Sequence, residues 1–170
     1  MKKRQLKKTI LIVGEGETED AVATHFKNLF WDRINSKFSI KVKYASGGSP
    51  LCVIQHAEKI TSAVNYDRVY IILDNDKEIC LRSKKLIEKN KFHIIYTPDC
   101  MDCALIRMLG ENPIHSKCKS KIKSLIGDLP THITIVEKVF LESIILKGKH
   151  LSPFKELYSI MIFGEIILDN

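Results

Sequence analysis

The sequence has no apolar run of membrane-spanning length, no phosphate-cradling P-loop and no cysteine framework, and each absence removes a class of function. The apolar stretch near the end, Ile160-Met-Ile-Phe-Gly-Glu-Ile-Ile-Leu168, is too short to cross a bilayer and carries Glu165. The basic start leads only into Ile10-Leu-Ile-Val13 before the acidic Glu15-Gly-Glu-Thr-Glu-Asp20, so a signal-peptide core is missing and a cytoplasmic protein without membrane contact is expected. No G-x-x-x-x-G-K-[ST] occurs, which argues against a P-loop ATPase. Five cysteines, an odd number without framework spacing, fit a reducing compartment. Cys100 and Cys103 form a C-x-x-C, but no second such pair completes a tetrahedral zinc site and no thioredoxin-like context surrounds them. These thiols therefore read as ordinary half-buried side chains. Internal repeats, low-complexity tracts and a domain linker are also missing.

What is present is a chain of 170 residues, 45% hydrophobic, long enough to bury a core as one domain over 1–170. A formal net charge of +7 and a pI near 9.1 favour an anionic partner such as nucleic acid. The charge is uneven: Lys2, Lys3, Arg4, Lys7 and Lys8 crowd the start, and Lys117, Lys119, Lys121 and Lys123 alternate later. Either cluster is a phosphate-contact candidate or simply a solvated face.

Thr9-Ile-Leu-Ile-Val13 is a β-rich run ending at Gly14 and predicts the first strand. Gly14-Glu-Gly-Glu17 is a tight turn that presents Glu15 outward, and Thr18 among acids opens a helix to about Ile34 with Val22, Phe26, Leu29 and Phe30 on one stripe. His25 lies close to that stripe and reads as packed. Phe38 to Tyr44 alternates as a second strand, an edge strand by its lysines. The Ala45-Ser-Gly-Gly-Ser-Pro50 loop then leads into a helix marked by Leu51, Ile54, Ala57, Ile60 and Val64; Gly47 and Gly48 either offer backbone N–H groups to a phosphate or form a plain connection. A third strand, a helix over about Ile79 to Lys89 and a fourth strand at Phe92 to Tyr96 follow. This alternation predicts an α/β fold, a mainly parallel sheet flanked by helices. Cys103 to Leu109 reads as a helix, with Asp99 and Asp102 as its capping acids. Beyond residue 110 the pattern is helical: Ile114 to Ile126, Thr134 to Leu146, and a segment after Pro153.

The third strand carries the chemistry. Val69-Tyr-Ile-Ile-Leu-Asp-Asn-Asp-Lys77 is a short apolar run, the signature of a buried strand, that ends in Asp74 and Asp76. Period-two alternation sends both carboxylates from the carboxyl end, where open α/β sheets bind ligands. Two carboxylates about 4 Å apart repel by roughly 4 kcal/mol at an effective dielectric near 20, so the pair wants a cation or a proton. Oxygen-only ligands suit Mg²⁺, Mn²⁺ or Ca²⁺ better than zinc. The plain alternative is that Asp74 caps the following helix and Asp76 complements its dipole. Glu15 opens at the same sheet end and meets the pair if the first and third strands are neighbours.

One acid in a glycine turn after the first strand, with Asp-x-Asp after the third, resembles the Toprim pattern of topoisomerases, primases and overcoming-lysogenization-defect nucleases, and more closely the Toprim-related RloB-like proteins. The matching words are Ile10-Leu-Ile-Val-Gly-Glu-Gly-Glu-Thr-Glu19, Tyr66-Asp-Arg-Val-Tyr-Ile-Ile-Leu-Asp-Asn-Asp-Lys-Glu78 and Pro98-Asp-Cys-Met-Asp102. The resemblance implies a Toprim-like α/β core over 9–109 with a helical extension over 110–170. It also implies Glu15 as the catalytic acid, and Asp74 and Asp76 with Glu15 as ligands of Mg²⁺ or Mn²⁺. The third word departs from the family's Asn-Pro-Cys-Phe-Glu: Asp102 replaces glutamate, Met101 the aromatic, and Asp99 is extra. The shorter Asp102, a further metal candidate, draws its carboxylate back by one methylene.

The implied function is metal-dependent phosphodiester cleavage of nucleic acid in bacterial phage defence, with Lys77 and Lys119 positioning the backbone. A non-catalytic component that docks nucleic acid or a partner ATPase is the first alternative. A small-molecule phosphatase of the haloacid-dehalogenase type is the second, although its Asp-x-Asp normally follows the first strand.

Overall fold

The first strand extends slightly beyond its expected span in the computed structural model, which describes residues 6–167. It is β1 (Lys8–Gly14), followed by α1 (Glu17–Phe30), β2 (Phe38–Tyr44), α2 (Pro50–Ala63), β3 (Arg68–Asp74), α3 (Leu81–Asn90) and β4 (His93–Thr97). The four strands form one sheet in the order β2-β1-β3-β4, every pair parallel. This is the expected α/β architecture, with β2 at one edge as its lysines required. β1 and β3 are hydrogen-bonded neighbours, with Val13 opposite Ile71, so the turns that leave them open side by side.

Strand alternation divides the core into two layers. Ile10, Ile12, Tyr70, Ile72 and Ile95 pack with α1 on one face, while Leu11, Val13, Val69, Ile71 and Leu73 pack with α2 and α3 on the other. Val69 to Leu73 are all buried, which explains why this strand reads as a continuous apolar run.

After β4 the chain builds α4 (Met101–Met108), a 3₁₀ turn (His115–Lys117), α5 (Cys118–Ile126), α6 (Ile133–Val139), α7 (Glu142–Gly148) and α8 (Phe154–Phe163). These helices share the α1 layer: Phe26 of α1 stacks on Phe154 of α8 at 5.8 Å between ring centroids. The single helix expected from Thr134 to Leu146 is two, broken at buried Phe140, whose carbonyl accepts a hydrogen bond from the ring Nε2 of His25 at 2.7 Å. His25 is packed, as its position beside the apolar stripe implied. Among the described residues no helix is long and apolar enough to cross a membrane.

One expectation about cysteine is corrected, for Cys103. Cys103 and Cys118 are both buried and joined by a disulfide with Cα atoms 5.5 Å apart, tying α4 to α5, whereas Cys52 and Cys80 are exposed. Of the two C-x-x-C thiols, Cys100 is free and half-buried, as expected, whereas Cys103 is buried and covalently paired.

Candidate functional site

β1 and β3 end side by side where the chain's connections diverge to opposite sheet faces. From β1 the chain crosses to β2 on one side, and from β3 to β4 on the other. Such a switch point leaves a crevice at the carboxyl ends of the strands. A cavity of about 680 Å³ opens there, lined by Glu15, Glu17, Glu19, Asp74, Asp76 and Asp102 together with Lys77 and Lys119. The metal candidates Glu15, Asp74, Asp76 and Asp102 and the two positioning lysines Lys77 and Lys119 are all brought into this one cavity. Six carboxylates against two ammonium groups make it a place for a cation.

Each side chain has a local cause. Gly14 ends β1 so closely under α1 that a Cβ there would run into Cβ of Glu19. Glu15 then lies in the turn, and its backbone carbonyl accepts the Gly47 N–H at 3.0 Å. That bond, with a second from Gly47 N–H to the Ala45 carbonyl, commits the Gly47 donor to the protein, so at Gly47 the loop serves as a structural connection. Pro50 opens α2 behind Ser49, whose hydroxyl accepts the Cys52 N–H.

Asp74 is the last residue of β3 and half-buried, while Asp76 is exposed in the turn beyond it. The period-two argument therefore reaches Asp74 and stops; the turn brings Asp76 to the cavity. Neither acid caps a helix, because α3 starts only at Leu81 behind Cys80. Burial pushes the Asp74 carboxyl up to about 6; the Thr97 hydroxyl pulls against this, and the charges of Glu15 and Asp76 add to it.

Asp102 and Asp99 also differ from the capping role expected of them. Cys100 occupies the cap of α4 and makes no side-chain cap bond. Asp99, at φ 65°, forms an ion pair with Arg107. Asp102 is buried beside the cavity, and this desolvation raises its carboxyl while nearby Lys119 lowers it. The short acid is thus inside the site.

Glu19 is the acid that sequence reasoning left as a helix-start residue. Its Oε2 accepts the Gly16 N–H at 2.7 Å, the glutamate half of a capping box, and the side chain is buried. Burial first and the Asp74 carboxylate second push it up to about 7. The signal available was its place in the first turn directly after the Glu15 elbow.

Lys77 donates to Glu15 Oε1 and to the Gly48 carbonyl, both at 3.1 Å, and so serves as a counter-ion inside the site. Lys119 lines the rim, whereas Lys121 pairs with Glu111 at 3.0 Å. Of the amino-terminal basic residues, Lys2, Lys3 and Arg4 lie outside the described residues. Lys7 and Lys8 line a different cavity, and β1 carries Lys8 about 20 Å from the acids at 3.3 Å per residue.

The donor set fits a hard divalent cation in chemistry. Glu15 Oε2, Asp74 Oδ1 and Asp102 Oδ1 are buried carboxylate oxygens without a hydrogen-bond partner, and buried unpaired polar atoms are rare without a ligand. The acids are not drawn into a finished cage. Among the described residues, the group of three whose ligand atoms all lie within 4.8 Å of one another is Cys100, Cys103 and His115. No protein-family model matches the chain, and no curated protein or solved structure matches it significantly.

Proposed function

We propose that this protein is a metal-dependent phosphodiesterase acting on nucleic acid, of the Toprim-related, RloB-like kind, working in the cytoplasm in bacterial phage defence, where a partner ATPase is a candidate associate. The observation that supports it is the convergence of three unpartnered buried carboxylate oxygens, from Glu15, Asp74 and Asp102, at the sheet's switch point. Asp74, Asp76 and Glu15 are the residues that would hold Mg²⁺ or Mn²⁺, with Asp102 closing the wall behind them. When bound there, such a cation would supply charge stabilisation for a phosphodiester and its reacting oxygens.

The protein's own groups do the rest. Glu15 gives up its contact with Lys77 and exchanges a proton with the attacking or leaving oxygen. Lys77, released from Glu15, and Lys119 at the rim hold the phosphate backbone by charge and read no base. The acid excess of the cavity repels a phosphodiester, a charge that a bound cation would offset.

One observation favours a second reading, a binding component without turnover: the Lys77 ammonium already neutralises Glu15. A single assay separates the two. Wild type and Asp74→Asn are incubated with single- and double-stranded DNA and RNA in Mg²⁺, Mn²⁺ or EDTA. Cleavage that needs the metal and is lost in Asp74→Asn supports the enzyme. Salt-sensitive binding that persists in EDTA without cleavage supports the binding component, and phosphate release from a small phosphoester alone would point to the phosphatase.

A further inference from the structure

Cys100, His115 and Cys118 line the cavity, and buried Cys103 lies next to them. Cys100, Cys103 and His115 bring one ligand atom each within 4.8 Å of the others, and Cys118 Sγ is bonded to Cys103 Sγ. We propose that Cys100, Cys103, His115 and Cys118 form a structural Zn²⁺ site in the reduced protein, and that the Cys103–Cys118 disulfide is its metal-free, oxidised state.

The argument begins with spacing. The four residues read Cys-x₂-Cys, eleven residues, then His-x₂-Cys. Cys100 precedes α4 and Cys103 lies in its first turn; His115 opens the 3₁₀ turn and Cys118 starts α5. Each pair is thus three positions apart at the beginning of a helix. Three thiolates and one imidazole are the Cys₃His set of closed zinc sites, for which carboxylate-preferring Mg²⁺ is a poor competitor.

Distances agree with this assignment. Tetrahedral Zn–S bonds of about 2.3 Å place sulfurs about 3.8 Å apart. The trio needs to contract by about an ångström from its 4.8 Å limit, and reduction frees the Cys103 and Cys118 sulfurs to separate. Cys52 and Cys80, the remaining cysteines, are exposed and line no part of this cavity.

A disulfide alone does not account for the cluster. It leaves the free Cys100 thiol beside the bonded Cys103 sulfur, an arrangement open to thiol–disulfide exchange, and it gives His115 no role. A four-ligand zinc site uses all four residues. The interconversion balances: a dithiol reductant gives the Cys103–Cys118 bond two electrons and two protons and leaves as its own disulfide. Zn²⁺ then displaces three protons from the three thiols.

The consequence reaches the acid site. Asp102 adjoins Cys103, and Lys119 adjoins Cys118, so the zinc would fix the wall that carries both toward the cavity. The site is independent of whether the acids catalyse anything.

The full chain is purified under dithiol reductant and its zinc is measured by plasma mass spectrometry, with Co²⁺ exchange followed by absorption. One zinc per chain and a Co²⁺ spectrum with thiolate charge-transfer and intense tetrahedral ligand-field bands are expected. Cys100→Ser and His115→Ala are expected to lose or weaken both signatures, while Cys52→Ser and Asp74→Asn retain them. Retention in Asp74→Asn separates this site from the carboxylates, and the wild-type measurements hold even if a ligand variant fails to fold. Reduced wild type that binds neither Zn²⁺ nor Co²⁺, or zinc retained at full stoichiometry in Cys100→Ser, overturns the proposal.

Discussion

Glu19 shows how far a single residue departs from what its local sequence suggests. As a first-turn acid it should complement the helix dipole as a carboxylate, but burial beside Asp74 raises it to about 7 from an ordinary value of 4.5. The folded chain therefore keeps a proton that the unfolded chain releases. Stability from this residue is fully present below about pH 4.5, falls as pH rises toward 7 and stays lost above it, a difference of about 3 kcal/mol across the window. Urea denaturation of wild type and Glu19→Gln at pH 5 and pH 8 should show the wild type losing this stability at pH 8 and the variant losing far less of it. Equal losses in both would assign the pH dependence elsewhere. The neighbouring Asp74 carries the functional counterpart. Its carboxyl is raised to about 6, so divalent-cation affinity measured by calorimetry should fall as pH drops through 6, where protons compete with the metal.

At the scale of elements, the joint between β1 and α1 holds the site together. Gly14 is where strand and helix approach most closely, with no space for a Cβ against Glu19. Gly14→Ala is expected to push α1 off the strand end, costing about 1–3 kcal/mol by overpacking. It should also displace Glu15 and Glu19 together, so chemical denaturation and divalent-metal affinity should both worsen. A stable Gly14→Ala protein with unchanged metal affinity would show that the joint has slack. The α6–α7 break has a different origin. Val136, Val139, Phe140 and Ile144 keep helical spacing through it, so periodicity alone predicts one helix; the interruption at Phe140 coincides with its carbonyl's contact with His25, 115 residues away in sequence.

Over the whole molecule, the charge is divided. The chain carries +7 overall, yet the cavity at the switch point is lined by six acids and two lysines. A nucleic acid drawn by the overall charge should meet the site only through its cationic rim and a bound divalent ion. Binding should weaken steeply with salt, and Lys119→Ala should reduce the slope of log affinity against log salt by about one while weakening different sequences alike. Fluorescence anisotropy across a salt series measures this, and an unchanged slope would remove Lys119 from the interface.

The strand and helix alternation, the edge position of β2, the packed His25 and the acids at two strand ends were all legible in the sequence. Each depends on periodicity or composition among neighbouring residues, which the chain carries locally. The order β2-β1-β3-β4, the meeting of Glu15 with Asp74, the burial of Glu19 and Asp102, and the gathering of Cys100, Cys103, His115 and Cys118 were decided by tertiary structure. The Cys/His set had a readable signal in His115-x₂-Cys118, hidden by the expectation that a C-x-x-C must be completed by another C-x-x-C. The remainder is a matter of distance between residues far apart in sequence. Side chains 59 positions apart become neighbours only because β1 and β3 pair, and a carboxylate's proton affinity follows from the burial and charges that this pairing creates.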